Sequence, residues 1–150
     1  MTLQTIDGGT MTRRPSLPAE IESYLASWNA AGSVWDCERL AECFTEDGLF
    51  FGGRPTHSVG RQAIEGYFRS YIGTITSCTL SLREQHVFNL DANCLVAQGF
   101  GEFFFELSDG LHTHSVVRTT LVLVRQQDRW KTRLQHIAPI PKNPPLGRED

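Results

Sequence analysis

The chain has 150 residues, a formal net charge of −3 and 40% hydrophobic residues. This composition predicts one globular domain. It argues against nucleic acid or an anionic membrane as a partner, because both attract a basic protein face. No apolar run approaches the roughly 18 residues of a membrane span, and the first 16 residues contain no apolar signal segment. We therefore expect a cytoplasmic protein whose four cysteines are reduced and inert.

The first part of the chain is predicted to be helical. Residues 1–16 are mostly polar, which is typical of a flexible N-terminal tail. From Pro18 to Ala31, apolar residues recur at three- and four-residue steps, which predicts an amphipathic helix ending near Gly32. Asp36 is the expected N-cap of a short second helix. A short strand over LFFGG then precedes a third helix, which starts near Gly60.

The second half of the chain is rich in strand patterns. Four β-rich runs are separated by turn-forming Asp, Asn and Gly residues, and they cover 75–89, 94–107, 111–126 and 129–138. We predict an α+β fold in which three N-terminal helices pack on the concave face of a cone-shaped, curved antiparallel sheet. Such a cone usually leaves an apolar pocket at its open end. The domain is expected to cover 17–141, with a C-terminal tail over 142–150.

The run over 111–126 also predicts a partner. Apolar residues occupy both its even and its odd positions, so neither face of the strand is polar. A strand that is apolar on both faces needs cover on both sides. Because three short helices cover only one side, we expect a second copy of the chain to cover the other, giving a homodimer.

Five stretches carry a resemblance through their order and spacing: WNAAGSVWD, LAECFTEDGLFFGG, GRQAIEGYF, the Arg118-x-Thr120 strand and RWKTRLQHIAP. Together they resemble the nuclear transport factor 2-like superfamily, and most closely its SnoaL-like and ketosteroid-isomerase-like domains, over roughly 18–141. The resemblance implies a cystatin-like α+β barrel that is usually dimeric. The superfamily includes isomerases, dehydratases, cyclases and epoxide hydrolases, and also the non-catalytic association domain of calmodulin-dependent kinase.

The catalytic pattern of the steroid isomerases is not matched. Their general-base aspartate lies near the positions of Phe51 and Gly52, and their oxyanion-hole tyrosine lies where Trp28 stands in this chain. Their second aspartate lies on the strand over 111–126, which has no acidic residue. Because proton transfer needs a base within hydrogen-bond reach, this departure argues against steroid isomerisation.

Three polar residues that interrupt apolar strands are the candidates for catalysis. Arg118 could orient a carboxylate or enolate oxygen, His136 could move a proton near neutral pH, and Glu102 could act as the base or hold Arg118. We expect Arg118 to point into the cone. The alternative is a structural Glu–Arg pair beside a core histidine.

Other polar residues have simpler interpretations. His112 and His114 lie on one strand face, but no neighbouring ligand completes a metal site, so we predict no metal. The sequence also contains no phosphate-loop or dinucleotide motif, so we predict no cofactor. His57 lies in a Gly- and Pro-rich loop that either contacts a ligand or only connects a strand to a helix. Arg61 and Glu65 have the spacing of a helix-surface ion pair.

Aromatic residues are the candidates for binding a ligand. A pocket for a ring-shaped molecule is expected to use Trp28, Phe50, Tyr67, Phe100 and Phe104, in addition to His57 at its mouth. The resemblance implies a domain that binds a small hydrophobic or carbonyl-containing molecule, with cofactor-free lyase, isomerase or cyclase chemistry as one hypothesis. The alternative is a non-catalytic ligand-binding or homo-oligomeric association domain.

Overall fold

The computed structural model describes residues 17–149, so the predicted tail over 1–16 lies outside the described residues. In the described range, none of the helices is both long and apolar enough to cross a membrane. The helices and strands are α1 (Ala19–Gly32), α2 (Cys37–Glu42), β1 (Phe44–Phe51), β2 (Ser58–Val59), α3 (Arg61–Arg69), β3 (Ile75–Asp91), β4 (Cys94–Leu107), β5 (His112–Gln126) and β6 (Arg129–Pro139). Residues 140–149 contain bends and a turn over 142–146 and are otherwise irregular, and all of them are exposed.

The strands form one curved sheet in the order β2-β1-β6-β5-β4-β3. Neighbouring strands are antiparallel, except that β1 runs parallel to β6. The three helices pack on one side of this sheet, which confirms the predicted α+β fold. Sequence patterns did not predict β2, and they placed the start of β1 too late in the chain.

The two faces of the sheet differ in burial. On β5, the odd-numbered residues from Val117 to Leu123 are buried, whereas the even-numbered residues are half-buried or exposed. We call the face that carries the helices the inner face and the opposite face the outer face. The core lies between the helices and the inner face, and its largest fully buried side chains include Ile21, Leu40 and Phe44.

Helix α1 lies unusually close to β3. A Cβ atom on Gly32 would overlap the backbone oxygen of Cys78 and would lie 2.8 Å from Cζ3 of Trp28. Glycine is therefore needed at this position for close packing. The helix ends near Gly32 as predicted, but Gly32 is its last helical residue, has no positive φ, and is followed by the C-cap Ser33. Asn29 reinforces the contact: its Nδ2 donates to the Leu80 oxygen at 3.0 Å, and the Leu80 N–H donates to its Oδ1 at 2.7 Å.

Two local predictions had different outcomes. Asp36 is the N-cap of α2, since its Oδ1 accepts a hydrogen bond from the Arg39 N–H. The predicted ion pair between Arg61 and Glu65 is wrong. Glu65 pairs instead with Arg69 at 2.7 Å, because the Arg61 guanidinium turns back from the first position of α3 to donate two hydrogen bonds to the Phe44 oxygen.

We predict that Asn29→Ala destabilises the fold. The substitution removes both hydrogen bonds that tie α1 to the edge strand β3, which should lower the free energy of unfolding by about 1–3 kcal/mol. Asn89→Ala is the matched control, because this exposed asparagine of β3 forms no side-chain hydrogen bond within residues 17–149. Denaturant unfolding of both variants measures the difference. Equal midpoints for the two variants would contradict the proposed tie.

Candidate functional site

An apolar cavity of about 170 Å³ lies inside the cone, between the helices and the inner face of the sheet. Residues from α1, α3 and β1 meet residues from β3 to β6 around it. Its aromatic lining residues are Trp28, Trp35, Phe50, Tyr67, Phe68, Tyr71, Phe103 and Phe105. The lining of this cavity is therefore chemically suited to an apolar or aromatic group.

The rings of the cavity wall are fixed by one another. Trp28 packs on Phe103 with centroids 5.7 Å apart and meets Phe68 edge to face at 6.5 Å. Phe50 meets Tyr67 edge to face at 4.8 Å. Such edge-to-face pairs contribute beyond the area they bury, so the wall is held in place before any ligand enters.

The two indole groups of the wall differ in their hydrogen bonding. Trp35 donates from its Nε1 to the Phe68 oxygen at 3.2 Å. The Nε1 of Trp28 is buried and has no hydrogen-bond partner among residues 17–149. Because Cε3 and Cζ3 of Trp28 face Gly32, its Nε1 lies on the opposite edge of the ring, away from that tight contact.

The loop after β1 lies at the mouth of the cavity. The Gly53 N–H donates to the Tyr67 hydroxyl at 2.7 Å, and Gly53 itself lines the cavity. Arg54 lies over the Tyr71 ring at 4.2 Å and donates from Nε to the Ser70 hydroxyl at 2.9 Å. The loop is thus tied to α3 and to the turn that follows it.

Two ionisable groups of the wall, Cys78 and Tyr67, have raised pKa values and keep their protons near neutral pH. Burial raises the pKa of the Cys78 thiol to about 12. Burial also raises the pKa of Tyr67, although the hydrogen bond from Gly53 opposes this shift. The wall contains no carboxylate, imidazole or amine among the described residues.

The three candidates for catalysis lie outside this cavity. The expectation that Arg118 points into the cone is wrong: its side chain is exposed on the outer face, because its neighbours Val117 and Thr119 take the inner positions. Arg118 and His136 line an open groove on the outer face. Glu102 is half-buried and lies 3.6 Å from His114 rather than beside Arg118. A catalytic role for these residues stays a prediction, and the structure places them on the outer face.

The predicted ligand-binding residues are divided between the two faces. Trp28, Phe50 and Tyr67 line the apolar cavity. Phe100 lines the groove on the outer face, and Phe104 is exposed on that face. The structure therefore corrects the expectation that these five aromatic residues line one pocket.

Two histidine segments lie at the surface. His57 is exposed and stacks on Phe51 with centroids 4.2 Å apart, which fits a connector. His112 and His114 are also exposed. Within residues 17–149, no three His, Cys, Asp or Glu side chains are grouped as they would be to hold a metal ion.

The sequence contained a signal that separates the two faces of β4. Gln98, Glu102 and Glu106 share the parity of Phe100 and Phe104, so these aromatic residues belong to the polar side of the strand. Phe103 and Phe105 have the opposite parity and line the cavity. The other lining residues missed at the sequence level are Trp35, Gly53, Phe68, Tyr71, Ile75, Cys78, Ser115, Val117 and Ile137.

Comparison with known proteins finds one family and a shared fold. The model of the SnoaL-like domain family matches residues 21–141. No functionally curated protein matches the chain. A structure from Xanthomonas campestris, named for the calcium/calmodulin dependent protein kinase II association domain, is similar with a TM-score of 0.76, 22% identity and coverage of 88% of this chain and 97% of the other.

Two further structures share the fold. A ketosteroid isomerase-like protein from Erwinia carotovora atroseptica has a TM-score of 0.65 and 17% identity, covering 82% of this chain and 95% of the other. A nuclear transport factor 2-like superfamily protein from Salmonella enterica has a TM-score of 0.67 and 20% identity, covering 86% and 95% of the two chains. At these identities the likeness shows the fold and no shared activity.

We predict that Cys78 resists alkylation in the folded protein. Its side chain is 1% exposed, and a pKa of about 12 leaves roughly a thousandfold less thiolate near pH 8 than in the unfolded chain. Iodoacetamide labelling followed by mass spectrometry measures the rate at each thiol. Half-buried Cys94 is the internal control. Labelling of Cys78 at its unfolded-state rate would contradict a closed cavity wall.

Proposed function

The chain belongs to the SnoaL-like domain family, within the nuclear transport factor 2-like superfamily, and from this premise we propose that it binds a small aromatic molecule inside its cone. The molecule is expected to carry one oxygen that accepts a hydrogen bond. The proposed ligand is still hydrophobic and carbonyl-containing, as expected from the sequence, and its size is now limited to a single ring. The cavity and the unpaired donor in its wall support it.

The unpaired Nε1 of Trp28 is the observation that carries the proposal. A buried N–H without an acceptor costs about 1–3 kcal/mol relative to one that is hydrogen-bonded. The rest of the wall is almost entirely apolar, so a ligand oxygen placed beside this N–H would remove the cost. The neighbouring indole of Trp35 already has an acceptor, so Trp28 is the indole of the wall that lacks one among the described residues.

The volume of the cavity favours a single ring. An engineered protein cavity of about 150 Å³ accommodates benzene, whereas sites for drug-sized ligands are typically about 300–1,000 Å³. At about 170 Å³, the cavity suits a substituted benzene. A four-ring steroid would require the wall to open.

The chemistry of the wall favours binding over proton abstraction. A general base must accept a proton near the operating pH, and the carboxylate and imidazole candidates Glu102 and His136 lie on the outer face. Cys78 and Tyr67 hold their protons near neutral pH because burial raises the pKa of each. Lyase, isomerase or cyclase activity remains an alternative that needs a base from outside this wall.

Paired ligands test the proposed binding. We expect acetophenone to bind more tightly than ethylbenzene, because only acetophenone offers an oxygen to Trp28. The advantage should be about 0.5–1.5 kcal/mol, or roughly 2- to 13-fold in dissociation constant. Trp28→Phe keeps an aromatic ring and removes the donor, so the advantage should disappear in this variant.

Trp130→Phe is the matched control, since Trp130 lies outside the apolar cavity. Ligand-observed NMR titrations of the three proteins give the six dissociation constants. Equal binding of the two ligands by the unsubstituted protein would overturn the assigned donor. A failure of both ligands to bind would overturn the proposed function.

A second candidate function, homo-oligomeric association, has a separate observation in its favour. On the outer face, apolar residues in register form a row across five strands: Phe88, Val96, Val122, Leu134 and Leu49. Phe88 is 57% exposed, and the other four are half-buried. An exposed apolar row of this kind fits sheet-to-sheet packing against a second copy, as expected from the sequence. The Xanthomonas structure is named for an association domain, and that name adds only an analogy.

We predict that light scattering gives twice the 16.9 kDa mass of the chain. Val122→Glu places a charge in the middle of the row and should shift the protein to monomers, because burying an unpaired charge costs several kcal/mol. Val34→Glu is the control, since Val34 is 66% exposed and lies away from the sheet. A monomeric unsubstituted protein at micromolar concentration would contradict the proposed dimer.

A further inference from the structure

A second cleft, separate from the apolar cavity, collects positive charge. It has a volume of about 510 Å³ and shares no lining residue with the apolar cavity. Arg39 enters it from α2, Arg61 from α3, and Arg129 and Lys131 from β6. We call these four residues and the space between them the basic cleft. Two acidic residues, Glu42 and Asp128, also line it, so four formal positive charges face two negative ones in a chain whose net charge is −3.

The cations of the basic cleft form no ion pairs. In the part of the chain that the structure describes, none of the four has a carboxylate within ion-pair distance. Each like charge raises the free energy of the others, and the two acidic residues of the lining offset only part of this cost. An anion bound in the cleft would offset this repulsion by attracting all four cations.

Two of the cations are held in fixed positions. The Arg61 guanidinium donates from Nη2 to the Phe44 oxygen at 2.6 Å and from Nε at 3.1 Å. The Lys131 ammonium donates to the backbone oxygen of Glu42 at 2.6 Å. Each group uses only part of its donor capacity in these bonds. The backbone therefore orients both side chains while leaving N–H groups for a ligand.

The remaining donors of the cleft are free. Arg39 and Arg129 are exposed, and their side chains form no hydrogen bond within residues 17–149. Ser23 and Ser27 of α1 add two hydroxyl groups to the same wall. The crowding of charge also has an effect on Lys131: partial burial lowers its pKa, and the nearby Arg61 and Arg129 lower the pKa further.

We propose that the basic cleft binds the phosphate group of a small phosphorylated molecule. Donors reach the cleft from four elements, α1, α2, α3 and β6. A planar carboxylate is satisfied by a single guanidinium, whereas a phosphate presents at least three oxygens in a tetrahedral arrangement and uses donors from several directions. Extended nucleic acid is disfavoured, because the chain is acidic overall and the cleft is one local patch.

Calorimetric titration with inorganic pyrophosphate at low ionic strength tests the basic cleft. We expect saturable binding at one site per chain. Arg129→Gln and Lys131→Gln should each weaken it about tenfold, which corresponds to the loss of one charge-assisted hydrogen bond. Arg125→Gln is the matched control: it removes an exposed arginine that lies outside the cleft, and the dissociation constant should stay unchanged.

Three results would overturn the proposal. These are an absence of saturable binding, equal weakening by Arg125→Gln, and equal affinity for malonate, which would show that the cleft does not recognise phosphate oxygens. Circular dichroism verifies that the variants are folded. If Lys131→Gln loses structure because its bond to Glu42 is lost, the exposed Arg129→Gln variant decides the test alone. Ligands of the apolar cavity take no part in this experiment, so it is independent of the proposed function.

Discussion

The alternation of side chains along the long strands is the constraint on which the rest of this structure depends. Successive residues of a strand point to opposite faces of the sheet. Once one face of β5 packs against the helices, the orientation of every other side chain on β5 is determined. Because Val117, Leu121 and Leu123 are buried on the inner face, Arg118 must lie on the outer face. From Val117 to Val122, β5 pairs with β4 and with β6 without a register shift, and this pairing directs Phe103 and Ile137 to the cavity and His136 to the outer groove.

Local signals in the sequence predicted most of the elements. The apolar steps of α1, the Asp36 cap and the turns between the long strands each depend on residues a few positions apart. The site was predicted less well, because it depends on which face of each strand is inside. On β5 both faces are apolar enough to be buried, and the charge of Arg118, followed by threonines on both faces, did not indicate which face is outside. On β4, in contrast, the polar residues Gln98 and Glu102 indicated which face is outside.

Other features required contacts that no local pattern contains. The parallel pairing of β1 with β6 joins segments far apart in the sequence, and it determines that Phe50 faces the cavity and Phe51 the outside. The Arg61 side chain had an acidic neighbour at the favourable spacing, yet it binds the Phe44 oxygen. A backbone oxygen near the end of another element can compete with a helix-surface ion pair, because such pairs contribute only about 0.2–0.5 kcal/mol.

The close approach of Gly32 to β3 means that positions around the cone differ in the size of side chain they can accept. On that side, any side chain larger than hydrogen would push α1 off the sheet, and Asn29 adds two hydrogen bonds to the same junction. At the loop after β1, the Gly53 N–H donates to the Tyr67 hydroxyl, and a Cβ atom on Gly53 would have its nearest neighbours at 3.5 Å and 3.6 Å, in ordinary van der Waals contact. Position 53 therefore has room for a side chain that position 32 lacks, so a substitution can reshape the cavity at this loop without separating α1 from the sheet.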